Sequence, residues 1–363
     1  MNRLSFLSVL ASSSCFYKGS SKNERETVNE IAAVNNDARS SSIIDIKQYG
    51  VKGDGHIDDS RAIQVAVDDC IKFKKTLYLS RPSKSYLCKS KIIISGQIYI
   101  YGDGMSMCGL NFLNSDGFEI LEGVSNVIFE RFSINQAIRY TQTRNLFTAI
   151  KVLGSTKKRP YTHVYRDVFI DGFNTAFDSS WLWDSHFDNI KVLFGQIGFN
   201  IKGTSVNNNI SNCSVSVSGG GSKGVFFSDA QQATEGWRIT NLLTYNADIG
   251  IHSLYTSNVY VTTPILDFCK EYGILLESGK GPSTNWQVLG GYIAMSGRSK
   301  SAISVNNEVN NNQIRGCKIS NVDILAYPGS SCEYGIELKG VLDQKAALNA
   351  NSFTNIKNEY FAK

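Results

Sequence analysis

The sequence predicts an all-β chain: a parallel β-helix carrying one short α-helical cap at its N-terminal end. Three observations predict it. Short segments of alternating apolar residues recur through most of the chain at intervals of about 22 to 33 residues, the length of one supersecondary unit. No helical pattern separates the copies, which excludes the crossover helices of an ordinary parallel α/β sheet. Asn-Gly or Asp-Gly two-residue turns are not spaced as hairpins require, so antiparallel pairing is also disfavoured. What remains is a stack of coils, each strand lying on its equivalent one coil below at about 4.8 Å.

The cap comes first, in Ile43 to Leu79 (IIDIKQYGVKGDGHIDDSRAIQVAVDDCIKFKKTLYL). Ile43, Ile44 and Ile46 read as a strand, and Gly50, Gly53 and Gly55 punctuate a turn. Asp58, Asp59 and Ser60 offer capping oxygens and negative charge at a helix N-terminus. Ile63, Ala66, Val67, Cys70 and Ile71 then form one apolar stripe at helical spacing. Lys72, Lys74 and Lys75 close the helix where its dipole favours cations. A β-helix needs such a cover, because its first coil otherwise exposes strand edges and core.

Two patterns alternate after it. The first is YRDVFI from Tyr165, FDNIKV from Phe187, ISNCSV from Ile210, IRGCKI from Ile314 and FTNIKN from Phe353, with looser copies FERFSI from Phe129, ITNLLT from Ile239 and VLGGYI from Val288. Its third position (Asp167, Asn189, Asn212, Asn241) is expected to stack as a turn ladder, since Asn tolerates left-handed backbone. The second pattern is Gly or Ala, apolar, any residue, usually apolar: AFDS from Ala176, GFNI from Gly198, GVFF from Gly224, GIHS from Gly250, GILL from Gly273, AISV from Ala302 and GIEL from Gly335. This register sets Glu130, Arg166 and Asp188 on one outward column as a charge ladder.

Composition agrees. The 363 residues include 31 Gly, 19 Phe and 17 Tyr but only 5 Pro, which suits many short strands. A net charge of +5 is too mild and dispersed for nucleic-acid binding but tolerates an acidic polymer. The eight cysteines form no CxxC pair and lie at no zinc spacing from His, so no metal is expected. Buried free thiols are preferred to disulfides, since Cys213 and Cys317 fall at core positions of the repeat. No cofactor motif is present: Gly219-Gly220-Gly221-Ser222-Lys223 lacks the spacing and helix of a P-loop. No segment is long enough to span a membrane.

Residues 1–42 differ in kind, and the coil stack is assigned to 43–363 with 43–79 as its cap. Arg3 followed by LSFLSVLA reads as a short export signal or, equally, as an arm that attaches to a virion base; Cys15 offers a third reading, a membrane anchor.

The stretch YGVKGDGHIDDSRAIQ (Tyr49 to Gln64), with TLYLSRPSKSYLCKSKIII and IYIYGDGMSM after it, resembles the N-terminal part of the pectate-lyase-like β-helix superfamily, in the branch of phage tailspikes and capsule depolymerases. The resemblance implies a right-handed, single-stranded parallel β-helix acting on polysaccharide, frequently a homotrimer, outside the cell on a phage tail or as a secreted or envelope protein. It does not carry over a catalytic set. The Asn-Thr-Asp, Asp-Asp, Gly-His-Gly and Arg-x-Lys motifs of polygalacturonases are absent, as is a calcium cluster of pectate-lyase type.

A β-helix binds a linear polymer along its side, so function is sought on outward positions and long turns. All four tryptophans (Trp181, Trp183, Trp237, Trp286) lie in or beside turns and near acids, which suits sugar stacking; the competing reading is that they cover coil edges. Hydrolysis needs two carboxylates, about 5–5.5 Å apart for retention or about 6.5–9.5 Å for inversion. Asp184 with Glu235 or Asp178 is the expected pair; Arg238 is expected to bind substrate and lies, with Tyr255, near His252 in sequence. Elimination on a uronic polymer would instead need a base and a cation, and His252 is the expected base. The basic loop Lys157-Lys158-Arg159 would attract an acidic chain or stand simply as a solvated loop. A non-catalytic carbohydrate-binding spike is the third reading.

Overall fold

The structure, a computed structural model, describes residues 42–138, 146–281, 283–306, 317–339 and 347–362. Residues 1–41, and with them the expected signal or arm and Cys15, lie outside the described residues. Within them the chain is a right-handed parallel β-helix of three sheets. Sheet 1 runs from Ile43–Asp45 through Thr76–Leu79, Ile98–Gly102 and His186–Asp188 to Lys318–Ser320 and Ala347–Asn349. Sheet 2 begins at Tyr86–Cys88 and ends at Ser352–Thr354. Sheet 3 has eleven strands, Ile92–Ile94 to Ile356–Ala362. Val127–Gln136 and Val164–Asp171 each serve sheets 1 and 2, bending at Arg131 and Asp167.

The bend is the expected ladder. Arg131, Asp167, Asn189, Asn212, Asn241, Thr263, Asn321 and Ala350 all hold φ between 48° and 63°. Asn189 Nδ2 donates to Asp167 Oδ1 at 2.5 Å, and Asn241 Nδ2 to Asn212 Oδ1 at 3.1 Å. Between these two pairs the side-chain ladder is interrupted, Asn212 Nδ2 donating to Asp188 Oδ1 at 2.9 Å, while backbone bonds such as Asn212 N to Thr240 O at 3.0 Å carry the corner from coil to coil. Two copies of the pattern differ from the expected register; residues 314–316, the start of IRGCKI, lie outside the described residues. The corner after Cys317 is Asn321, in ISNVDI, because Ile319 pairs with Val288; the last is Ala350, because Leu348 pairs with Ile319. Asn355 of FTNIKN, with φ 57°, stands instead between sheets 2 and 3. Repeats of variable length drift, and alternation alone cannot fix a one-residue slip.

The second pattern is sheet 3. Its first position is small because backbone crosses it: a Cβ on Gly224 would stand 2.6 Å from Gly250 O, and one on Gly250 2.6 Å from Gly273 O. The next apolar position points inward, where Phe177 and Phe199 stack at 5.1 Å and 4°. The third points outward. The core is continuous along the stack, with Phe129, Tyr165 and Phe187 contributed by successive coils.

Helix α1 (Ser60–Phe73) buries Ile63, Ala66, Val67 and Cys70 over the first coil, with Ile71 against Gly96, and ends on Lys74 in left-handed conformation. One detail of the cap differs from expectation. Asp58, not Asp59, serves the helix N-terminus, accepting from Ser60 N at 3.0 Å. The Asp59 carboxylate turns back to accept from Lys52 N at 2.6 Å and Gly53 N at 3.0 Å, tying the glycine turn to the helix. Cys70, Cys88, Cys108, Cys213, Cys269, Cys317 and Cys332 are free and buried.

Candidate functional site

The outward position of sheet 3 forms a straight column. Lys151, Asp178, Asn200, Phe226, His252, Leu275, Ser304, Glu337 and Phe361 are in register on successive coils. Two residues further along each strand runs a second column, in which Ser180 pairs with Lys202 and Glu277 with Asn306 and then Lys339.

Near the middle these columns bring a histidine and a carboxylate together. His252 Nε2 lies 2.6 Å from Glu277 Oε2. The imidazole stacks on Phe226 at 4.8 Å and 15°, and Lys223 Nζ stands 4.6 Å above the same Phe226 ring. His252 Nδ1 is buried with no hydrogen-bond partner. The hydrogen bond from His252 holds the Glu277 carboxyl below the usual carboxylate range, against the opposing effect of burial. Burial pushes the Lys223 ammonium below its ordinary value, with Asp248, Glu271 and Glu277 acting the other way. Side-chain exposure is 10% for His252 and 28% for Glu277, so the carboxylate is the more accessible member.

The other expected site residues are dispersed. Asp178 shares the column three coils away, but it is held by Lys202 Nζ at 2.8 Å and Asn200 Nδ2 at 2.9 Å. Trp183 and Glu235 lie on a corner ladder that runs Tyr161, Trp183, Val206, Glu235 between sheets 3 and 1. Asp184, next to Trp183, is an exposed corner residue with φ 49°. Two coil steps separate it from Glu235, a rise of about 10 Å. Arg238 is exposed on sheet 1 between Asn209 and Tyr260, on a different face from His252. Trp181 and Trp183 are half-buried, with the Arg159 guanidinium 5.9 Å and 4.6 Å from their rings.

Trp237 and Trp286 require correction. They are 0% and 1% exposed, with Nε1 bonded to Ser205 O and Thr256 Oγ1. Both occupy inward positions of the core, so neither ring can meet a polymer. The large indole suggested a surface platform, whereas the inward register decided its place.

Glu277 and Lys223 were absent from the expected set, although the repeat locates both. Glu277 is four residues after Gly273 of GILL, the second outward position, and Lys223 directly precedes Gly224 of GVFF. Among the described residues no group of three His, Cys, Asp or Glu side chains is placed to hold a metal ion.

The family profile described as rhamnogalacturonase A/epimerase, pectate lyase-like, matches residues 43–274, well over half the chain. The chain belongs to this family. No curated protein sequence matches this pectate-lyase-like chain significantly. Among solved structures it is similar to the A-module of a mannuronan C-5 epimerase from Azotobacter vinelandii, with TM-score 0.61 and 14% identity over 88% of this chain and 99% of that one. It is equally similar to the Streptococcus pneumoniae surface protein and adhesin PfbA, at TM-score 0.61 and 12% identity over 88% and 100% of the chains. The catalytic domain of a GH87 alpha-1,3-glucanase in complex with nigerose matches at TM-score 0.54 and 16% identity over 91% of this chain and 66% of that one. At such identities these likenesses establish the fold.

Proposed function

We propose that the protein acts on an acidic polysaccharide laid along the outer face of sheet 3, and that the His252–Glu277 pair moves a proton on the sugar carbon beside a uronate carboxylate. The observation that carries this reading is the 2.6 Å His252–Glu277 contact with half-buried Lys223 beside it. In elimination the bond from that carbon to hydrogen breaks, its electron pair forms the new carbon–carbon double bond, and the glycosidic oxygen leaves. The proton ends on the pair, Glu277 being its accessible oxygen and His252 sharing the charge; the departing oxygen takes a proton from solvent. Lys223 opposes the charge that builds on the uronate. A structural neighbour named as a mannuronan C-5 epimerase is in keeping with chemistry at that carbon.

A second reading, hydrolysis, is favoured by exposed Glu235, on the corner ladder with Trp183, and exposed Asp184 next to that tryptophan. Digestion of capsular, O-antigen and plant acidic polysaccharides separates the two. Unsaturated uronate products support elimination, new reducing ends without unsaturation support hydrolysis, and binding without either product supports a non-catalytic spike. We place the action outside the producing cell, on a secreted or phage-tail protein; a homotrimer, to be tested by light scattering of the full chain, would present three such faces.

A further inference from the structure

The same outer face carries a second feature towards the end of the stack. A cavity of about 360 Å³ is lined by Tyr272, Lys300, Glu333, Tyr334, Glu337, Lys339 and Phe361, a size within the range of about 300–1,000 Å³ typical of small-ligand sites. Its base is Glu337, 4% exposed, in the outward column three coils beyond His252, a rise of about 14 Å. Glu337 is not a loose charge. Its Oε2 accepts from Ser301 Oγ at 3.0 Å and Ser304 Oγ at 2.8 Å, and its Oε1 lies 2.7 Å from Lys339 Nζ. Acceptor and donor are thereby fixed side by side. One wall is aromatic, with Tyr334 and Phe361 at 4.9 Å and 44°. Lys300 and Glu333 complete the charged lining, so the four charged residues sum to zero.

Two flat rings beside a rigid donor–acceptor pair match one kind of ligand. The rings cover the apolar face of a sugar ring, and an ammonium next to a carboxylate serves two neighbouring hydroxyls, one donating and one accepting. We infer that this cavity is a sugar subsite, holding one pyranose unit by its ring face and vicinal hydroxyls and not by a carboxylate. The balanced charge argues against selection for acid at this position. The inference rests on the reading of sheet 3 as the polymer-binding face, and it makes that face continuous over at least four coils, from His252 to Glu337.

Saturation-transfer NMR on the full chain tests it, with methyl glucoside, galactoside, mannoside and rhamnoside and the matching methyl uronosides as probes. At least one neutral pyranoside should show transfer. Phe361→Ala and Tyr334→Leu, each with an unchanged melting midpoint, should each weaken it about tenfold, roughly the value of one stacked ring. The uronoside should gain nothing over its neutral parent, and raising the salt about tenfold should change little. No transfer from any pyranoside, or transfer that survives both substitutions, would overturn the inference; so would a uronoside that binds markedly better. The outcome is separate from that of the catalytic reading. Probes that bind here while no polysaccharide is processed would leave the subsite standing and remove the proton-transfer proposal, and processing without binding here would do the reverse.

Discussion

Replacing Asn212 tests what holds the coils in register. Asn212 sits at the corner between sheets 1 and 2 with φ 54°. Its Nδ2 donates to Asp188 Oδ1 at 2.9 Å, and its Oδ1 accepts from Asn241 Nδ2 at 3.1 Å. In Asn212→Ala the left-handed backbone becomes strained, costing roughly 1–2 kcal/mol. Two exposed ladder bonds also disappear, each worth about 0.5–1.5 kcal/mol. The expected loss is therefore about 2–5 kcal/mol. Asn212→Gly loses the same bonds but accepts the backbone without strain, at an added chain-entropy cost of about 0.5–1 kcal/mol. Glycine should thus be the more stable replacement by up to about 1.5 kcal/mol, the reverse of the usual order of these two residues. Urea unfolding of both variants at matched slope reads the difference. An alanine variant as stable as the glycine variant, or more so, would refute the strain account of the ladder.

Three further expectations follow from the same geometry. Trp237→Ala empties a fully buried core position and should cost about 3–5 kcal/mol in denaturant unfolding, whereas Trp183→Ala should cost under about 1 kcal/mol. Gly224→Ala drives a Cβ to 2.6 Å from both Gly250 O and Thr244, so it should cost about 1–3 kcal/mol by the same assay. His163 is fully buried, with Nε2 at 2.9 Å from Val124 O and Nδ1 at 2.9 Å from Tyr165 Oη; burial depresses its pKa from 6.5 to about 4. The unfolded chain protonates first, so stability is full above 6.5, falls as pH drops, and loses about 3 kcal/mol in total by pH 4. His163→Gln should remove that slope from stability measured against pH.

How far the sequence carried each feature depended on its register. The Gly or Ala pattern marks a position where little room is left, a Cβ at Gly224, Gly250 or Gly273 standing 2.6 Å from backbone of the next coil, and it locates sheet 3 and the outward position of His252 correctly. The asparagine corner is plain from Asp167 to Asn241; it is missed at Asn321, where ISNVDI overlaps the end of IRGCKI, and at Ala350, where no Asn marks it. The site was less legible. Asp178 looked catalytic because its partner Lys202 lies one coil away, at a sequence distance that only the coil period predicts. Trp237 looked like a platform because proximity to Glu235 outweighed its inward parity. Glu277 reads in the sequence only as the acid near Trp286; its pairing with His252 is hidden because it lies one outward position beyond the four-residue pattern, though the coil period sets it against His252.

The most direct test of the proton-transfer account is deuterium incorporation. An acidic polysaccharide that the protein binds is incubated in heavy water with the wild-type chain, and hydrogen at the carbon beside the uronate carboxylate is followed by NMR. The account predicts that the hydrogen is removed, by exchange or with formation of an unsaturated product. Glu277→Gln should slow that removal by about 100-fold or more, the range of a lost general base, while binding persists. Full retention of that hydrogen while the chain is cut, or removal at an undiminished rate in Glu277→Gln and His252→Ala, would contradict it.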